Sequence, residues 1–205
     1  YWLEENLQPN TQYSRYVCAY NEYGEASSEV SSCYTLARVP TNLRVVGVYI
    51  SSVTLMWDEV GATRYAVERS TGIDAPVNWQ YIVTWSSNVV NAVFTDIDLL
   101  NEVTYWYRVR SYNGEQVLSV ASDEISVLIP FPLPPGMFYG VAVSSVSILW
   151  LWNDNSNYEQ GYYVKTVTGA ILATLAADTT YWLEENLQPN TQYSRYVCAY
   201  NEYGE

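Results

Sequence analysis

The sequence predicts an all-β chain of tandem antiparallel β-sandwiches, and three observations carry that prediction. Tyrosine is unusually frequent, at 21 of 205 residues. With β-branched residues it recurs at alternate positions, the pattern that fits a pleated, half-buried surface. No segment sustains the 3.6-residue apolar period of an amphipathic helix, so essentially no helix is expected. The stretch YWLEENLQPNTQYSRYVCAYNEYGE occurs twice, letter for letter, at residues 1–25 and 181–205. Repetition at a fixed period defines architecture before any local reading does.

Inside that period lies a looser repeat. Leu7, Tyr13, Val17, Ala19 and Asn21 return as Leu99, Tyr105, Val109, Ser111 and Asn113, and again as Leu187, Tyr193, Val197, Ala199 and Asn201. Tyr13, Tyr105 and Tyr193 stand 92 and 88 residues apart, so one period holds two similar, non-identical domains of about ninety residues, a common sandwich size. The expected organisation is the C-terminal part of one domain at 1–38, a complete domain at 39–129, and a domain lacking its last strand at 130–205. Copies at both ends and the absence of an initiator Met make the chain, in this reading, a window on a longer repeat.

The middle domain can be taken strand by strand. A first strand is expected near Leu43 to Val48, after Pro40. A second carries Val53, Leu55 and Trp57 at alternate positions and turns at Asp58 to Gly61. A third alternates Tyr65, Val67 and Arg69. An irregular stretch with Pro76 follows, then strands near Tyr81 to Val83 and Ala92 to Thr95, the long strand Thr104 to Tyr112, and a last one near Val120 to Leu128. Seven short alternating strands with turn signals between them make an antiparallel sandwich.

Pro40 and Leu43, Ser52, Leu55 and Trp57, Tyr65, Val67 and Arg69, Asp96 and Leu99, and Tyr105, Tyr107, Val109, Ser111 and Asn113 together resemble a fibronectin type III domain of the immunoglobulin-like class. The resemblance implies that Trp57 is the core tryptophan of the second strand. It also implies that Tyr105 forms the tyrosine corner, whose hydroxyl ties a loop to the strand. Residues 134–205 repeat the pattern with Pro135, Ser147, Trp150, Trp152, Tyr162, Val164, Leu187 and Tyr193. One departure stands out: Tyr107 is replaced by Arg15 and Arg195, where alternation would point a charge inward at a cost. The strand is either bulged there, or the guanidinium reaches the sandwich end toward Glu4 or Glu5.

The linkers differ. Leu36 to Pro40 leaves almost no slack, and Ile129 to Pro135 reads IPFPLPP, which favours extended, semi-rigid geometry. Tandem units joined this way are expected to behave as a stiff rod.

Composition narrows the partners. The net charge is −13, the one lysine is Lys165, and no basic run exists, so nucleic acid and anionic membrane are not expected ligands. The longest apolar stretches, such as Ile148 to Trp152, are far shorter than the roughly 20 residues of a membrane helix, so no membrane insertion is expected.

There is no histidine, which removes the usual catalytic base and commonest metal ligand. No phosphate loop or nucleophile elbow is present. The acidic pairs Asp58/Glu59, Asp96/Asp98, Asp123/Glu124 and Glu184/Glu185 read as solvated turns rather than catalytic carboxylates. Asp154, Ser156 and Glu159 offer oxygens in one loop but lack the glycine and spacing of an EF-hand, so a polar turn is expected. No catalytic residue, cofactor or metal is assigned, and the chain is not expected to be an enzyme.

Two groups of residues remain. A hairpin centred near Tyr23 to Glu25 would set Cys18 opposite Cys33, both outward, in the geometry of a cross-strand disulfide and an oxidising compartment. Two reduced thiols are the alternative. Outward aromatics form a candidate interaction surface: Tyr20 and Tyr23 with their copies Tyr200 and Tyr203, and Trp106 beside Arg108. They also read as cover for neighbouring stems.

The expected function is a structural or adhesive extracellular or cell-surface protein, forming a stiff rod or filament through self-association or neighbouring copies of the repeat. The rival is a carbohydrate- or protein-binding accessory module of a secreted or cell-surface enzyme, with Trp106, Trp79 or the tyrosine loops engaging a glycan or a cell-surface protein. Strand exchange between subunits is one way of joining copies. It needs each segment once, whereas residues 1–25 occur twice and 26–38 once, so a continuous repeat fits the count better.

Overall fold

Alternation of buried and partly buried residues along Ser52–Asp58 and Thr104–Tyr112 aims the core side chains of the middle domain inward. In the computed structural model, which describes residues 1–205, the chain divides into two compact units. One comprises residues 1–98 with 104–127, the other 99–103 with 128–205.

The first unit begins with two short antiparallel pairs. β1 (Gln12–Arg15) pairs with β4 (Ser31–Tyr34), and β2 (Cys18–Asn21) pairs with β3 (Gly24–Ser27). The β2–β3 turn closes on Asn21, whose side-chain oxygen accepts the Tyr23 N–H at 2.9 Å, a local bond that asparagine forms readily in turns. Nothing buries these strands: β3 is exposed throughout, and Trp2, Val17 and Val30 face solvent.

The complete sandwich follows. β5 (Thr41–Tyr49), β6 (Ser52–Asp58) and β9 (Val93–Asp96) form one sheet in the order β5-β6-β9. β7 (Arg64–Thr71), β8 (Gln80–Val83), β10 (Thr104–Tyr112) and β11 (Ile125–Leu128) form the other, in the order β11-β10-β7-β8. Val53, Leu55 and Trp57 point inward from β6, and Tyr65, Val67, Tyr107 and Val109 meet them from β7 and β10. Trp57 and Tyr65 make an edge-to-face contact at 5.2 Å, the arrangement aromatic quadrupoles prefer. The last strand is shorter than its apolar pattern predicts. Residues before Ile125 run as irregular backbone, held to β10 by the N–H groups of Ser119 and Ser122. The only helical turn in the chain is a 3₁₀ turn at Trp85–Ser87.

The second unit repeats the plan. β12 (Gly136–Ser144), β13 (Ser147–Asn153) and β16 (Tyr181–Glu184) form one sheet in that order with β13 central. β14 (Gly161–Thr166) is central in the other, between β15 (Ile171–Ala176) and β17 (Arg195–Tyr200). Trp150, Trp152, Tyr162, Val164 and Ala199 form the core, with Phe138, Trp182, Tyr193 and Val197 packed against it. The chain is therefore all-β, in tandem fibronectin type III-like sandwiches. No helix is long and apolar enough to cross a membrane.

The predicted cysteine pairing is corrected by the register. Cys18 faces Ser27 and Cys33 faces Tyr13, because the segment folds as two offset pairs rather than one continuous hairpin. Cys18, Cys33 and Cys198 are all free thiols.

Candidate functional site

A carboxylate occupies the same position at the end of all three repeats: Glu4, Asp96 and Glu184. In the second unit Arg195 grips Glu184 through Nε (3.1 Å to both oxygens) and Nη2 (2.6 Å), while Trp150 Nε1 donates to Oε2 at 2.8 Å. Glu184 is buried and Arg195 largely so, with side chains 9% and 11% exposed. Arg15 grips Glu4 in the same way, at 3.1 and 2.6 Å, but nearer to solvent. The strand is regular at Arg195, so the inward arginine is explained by the ion pair and not by a bulge.

In the middle domain the same charge arrives from a different strand. Tyr107, at the arginine position, donates to Asp96 Oδ2 at 2.8 Å, and Arg69 on the neighbouring strand reaches both oxygens at 3.1 and 3.0 Å. Arg69 stands opposite Tyr107, just as Thr166 stands opposite Arg195. Burial, followed by the hydrogen bond to Asp96, pushes the Tyr107 phenol well above its ordinary pKa. Asp96 and Glu184, expected to be solvated, are thus buried and paired, since each closes the core end of its sandwich.

A second recurring group holds the linkers. The Asn113 side chain donates to Thr35 O at 3.2 Å while its oxygen accepts the Glu115 and Val117 N–H groups. Asn201, its equivalent, donates to Pro130 O at 2.6 Å and accepts the Tyr203 N–H. A third group sits where the chain turns into each long strand. Asn10, Glu102 and Asn190 are equivalent, and all take the left-handed conformation, with φ of 47°, 59° and 52°. Within the first unit Asn10 bonds Gly61 O, Thr63 Oγ1 and the Gly114 N–H. Within the second, the Glu102 carboxylate accepts the Leu133 and Asn157 N–H groups at 3.2 Å and the Ser156 hydroxyl. The sequence showed Asn113 and Asn201 only as spaced repeats. Asn10 and Glu102 share no side-chain type, so no signal linked them.

The tyrosine corner is present: Tyr13 and Tyr193 accept the Gln8 and Gln188 N–H groups at 2.9 Å. Tyr105 is buried at the equivalent position, and Trp57 is buried as expected.

The predicted interaction residues sit in different surroundings. Tyr20 and Tyr23 are almost fully exposed. Tyr200 stacks on Tyr163, with ring centres 4.0 Å apart, and Tyr203 tilts against Phe131. Trp106 donates to Gly72 O at 2.8 Å. Arg108 lies over the Trp79 ring and binds Glu68 at 3.0 and 2.6 Å, so one face of that tryptophan is covered. Arg110 also binds the buried Glu68. Burial pushes the Glu68 carboxyl up, but the hydrogen bonds from Arg108 and Arg110 outweigh it and leave its pKa below the ordinary value.

Asp154, Glu159 and Asp178 converge, with carboxylate oxygens within 4.8 Å of one another. Asp178 comes from a different turn, which the sequence could not place there. Protein donors already engage the group: Tyr162 OH and the Ser156 N–H reach Asp154, and the Asp178 N–H reaches Glu159.

No family model matches the chain. Among solved structures it is similar to an Fn3-like protein from Clostridium thermocellum, at 26% identity over 44% of this chain and 90% of that one, with a TM-score of 0.37. It is also similar to the FN1–FN3 domains of chicken CNTN1, at 17% identity over 97% of this chain and 75% of that one, with a TM-score of 0.37. A myokine structure matches at 17% identity over 45% and 96%, again with a TM-score of 0.37.

Proposed function

We propose that the chain is a structural, adhesive segment of an extracellular or cell-surface tandem-repeat protein that works as a stiff rod or filament. The observation that carries this reading is the recurrence of one linker hold, Asn113 on Thr35 O and Asn201 on Pro130 O. A side chain spent on a carbonyl of the chain leading into its domain restrains the joint, which is the property a spacer needs and a freely swinging tether lacks. The letter-for-letter repeat supports the same reading, because arrays of like units act by length and number.

The polar groups described above are engaged in ion pairs and turns. This supports a non-enzymatic role.

The test is the mass of the intact native polypeptide under denaturing, reducing conditions, together with its contour length by electron microscopy. A mass several times the 23.4 kDa of this chain and unbranched rods whose length scales with domain number are expected. Compact particles, or flexible beads with random angles at the joints, would overturn the rod.

A further inference from the structure

The outer face of an antiparallel sheet ordinarily meets water, and its strands then alternate apolar inward with polar outward. The β5-β6-β9 sheet of the middle domain keeps that rule at its centre. Thr54 stands opposite Thr95 on the outer face, their hydroxyls 3.0 Å apart, and Arg44 stands opposite Met56 and reaches Asp58.

The equivalent sheet of the second unit breaks it. Trp152 corresponds to Trp57 and Glu184 to Asp96, and the register then aligns Leu149 with Thr54, Leu183 with Thr95, and Tyr139 with Arg44. Trp150, Trp152 and Trp182 turn inward to the core, so their neighbours along each strand turn outward. Two rows cross the outer face from β12 through β13 to β16. One is Tyr139, Leu151 and Tyr181, and the other is Val141, Leu149 and Leu183. Tyr139, Val141, Tyr181 and Leu183 are 43 to 60% exposed, and the two leucines of β13 lie partly buried between them. The one charged residue of these three strands is Glu184, which points inward to Arg195.

We propose that this face is a self-association surface, and that its occupant is the same face of a second copy of the chain. Area sets the kind of partner. The six side chains present roughly 500 Å² of largely apolar surface, at the upper end of the largest patch a monomer ordinarily exposes. A standard interface takes about 800 Å² from each partner and is a little over half apolar. The face therefore supplies the apolar share of one side of a dimer.

Charge selects the second copy. The chain carries a net charge of −13, and two such chains repel wherever their carboxylates are brought together. On this face no outward charge has to be desolvated or opposed. Two sheets pack face to face about 10 Å apart with their strands within about 30° of each other, and an isologous contact sets the same patch on both sides. Leucine then meets leucine at the centre, and the tyrosines lie toward the margins, where their hydroxyls keep water. Along a rod of tandem repeats the face recurs once in each period, so contacts that are weak singly add between two rods. That last step rests on the rod reading, whereas the face itself does not.

The test is sedimentation equilibrium of the full chain up to millimolar concentration. A reversible dimer is expected, and added salt should tighten it, because screening weakens the repulsion between the acidic chains while the joint holds no ion pair. Leu149→Thr with Leu183→Thr installs the cross-strand pair that Thr54 and Thr95 already form in this fold. It should raise the dissociation constant by roughly a hundredfold, the loss of two buried leucine side chains. Tyr139→Arg, which copies Arg44, should weaken the dimer as well, whereas Val167→Thr, exposed on a turn outside the sheet, should leave it unchanged. A mixture of methyl-labelled and unlabelled chains checks the face without any substitution. Nuclear Overhauser contacts are expected from the Leu149 and Leu183 methyls of one copy to the Tyr139 and Tyr181 rings of the other. A chain that stays monomeric throughout would overturn the second copy as occupant. A dimer that lacks these contacts, or that both variants leave unweakened, would overturn this face as its site. Either result leaves the intact-mass and contour-length test of the rod standing on its own.

Discussion

Arg195 and Glu184 lie 2.6 Å apart at the end of one sandwich, and Arg69 and Asp96 lie 3.0 Å apart at the equivalent end of the other. The carboxylate keeps its position while the arginine changes strands. What is preserved is a charge balance around a buried carboxylate, because removing one partner leaves the other desolvated and unpaired.

That relationship predicts a rescue. Arg195→Tyr alone should destabilise the second unit by about 3 kcal/mol, the cost of orphaning a buried carboxylate. Adding Thr166→Arg, which recreates the arrangement of Arg69 and Tyr107, should recover most of the loss. Urea melts of the single and double variants measure both. Arg15→Tyr should cost far less, since its pair with Glu4 is open to water.

Glu68 gives a pH dependence with a defined sign. Its pKa is lower folded than unfolded because Arg108 and Arg110 outweigh its burial. The stability it contributes is therefore fully present above the ordinary glutamate pKa of about 4.3. It is lost as pH falls through the depressed folded value. Thermal melts between neutral pH and pH 3 should show a fall in Tm for the parent that is shallower in Glu68→Gln, which begins less stable at neutral pH.

Asn113→Ala should cost about 2 kcal/mol, because it leaves Thr35 O and the Glu115 and Val117 N–H groups without their side-chain partner. Limited proteolysis near residues 35–40 should quicken in the same variant. Cleavage at an unchanged rate would remove Asn113 from its role as a linker hold.

The thiols give a chemical check on the register. All three cysteines should react with a thiol reagent in unreduced protein, with Cys33, exposed, among the fast ones. Cys198 should be slow at neutral pH, because burial and the nearby Glu205 carboxylate push its pKa up and only the thiolate attacks. A mass two protons lower in unreduced protein would instead restore the Cys18–Cys33 bridge.

Much of the fold was legible because alternation is local. Val53, Leu55 and Trp57 announce a half-buried strand from spacing alone, and the Leu–Tyr–Val–Asn skeleton marks the long strand in each repeat. The inward arginine was legible as an anomaly, with Glu4 named as one destination, since a charge on a core face needs a partner within reach. Pairings across strands were not legible. The Cys18 register failed because the chain shifts between β1–β4 and β2–β3, and a shift of register leaves no mark on composition. Asp96 and Glu184 looked like surface acids because their burial depends on partners that other strands bring to them, Arg69 and Tyr107 for Asp96, Arg195 and Trp150 for Glu184.

The repeated 25 residues separate the two contributions without any mutation. By itself the sequence determined the period, the strand-forming alternation and the local bonds of the corner and turn. These bonds are the same in both copies: Tyr13 with Gln8 and Tyr193 with Gln188, Asn21 with Tyr23 and Asn201 with Tyr203. Tertiary structure decided the rest. Tyr181 to Glu184 form a strand against β13 and Trp182 packs on the core, whereas Tyr1 to Glu4 form none and Trp2 lies in solvent. Identical residues have identical propensities, but strand pairing and apolar burial need a neighbouring sheet. β13 and β14 supply it to the second copy.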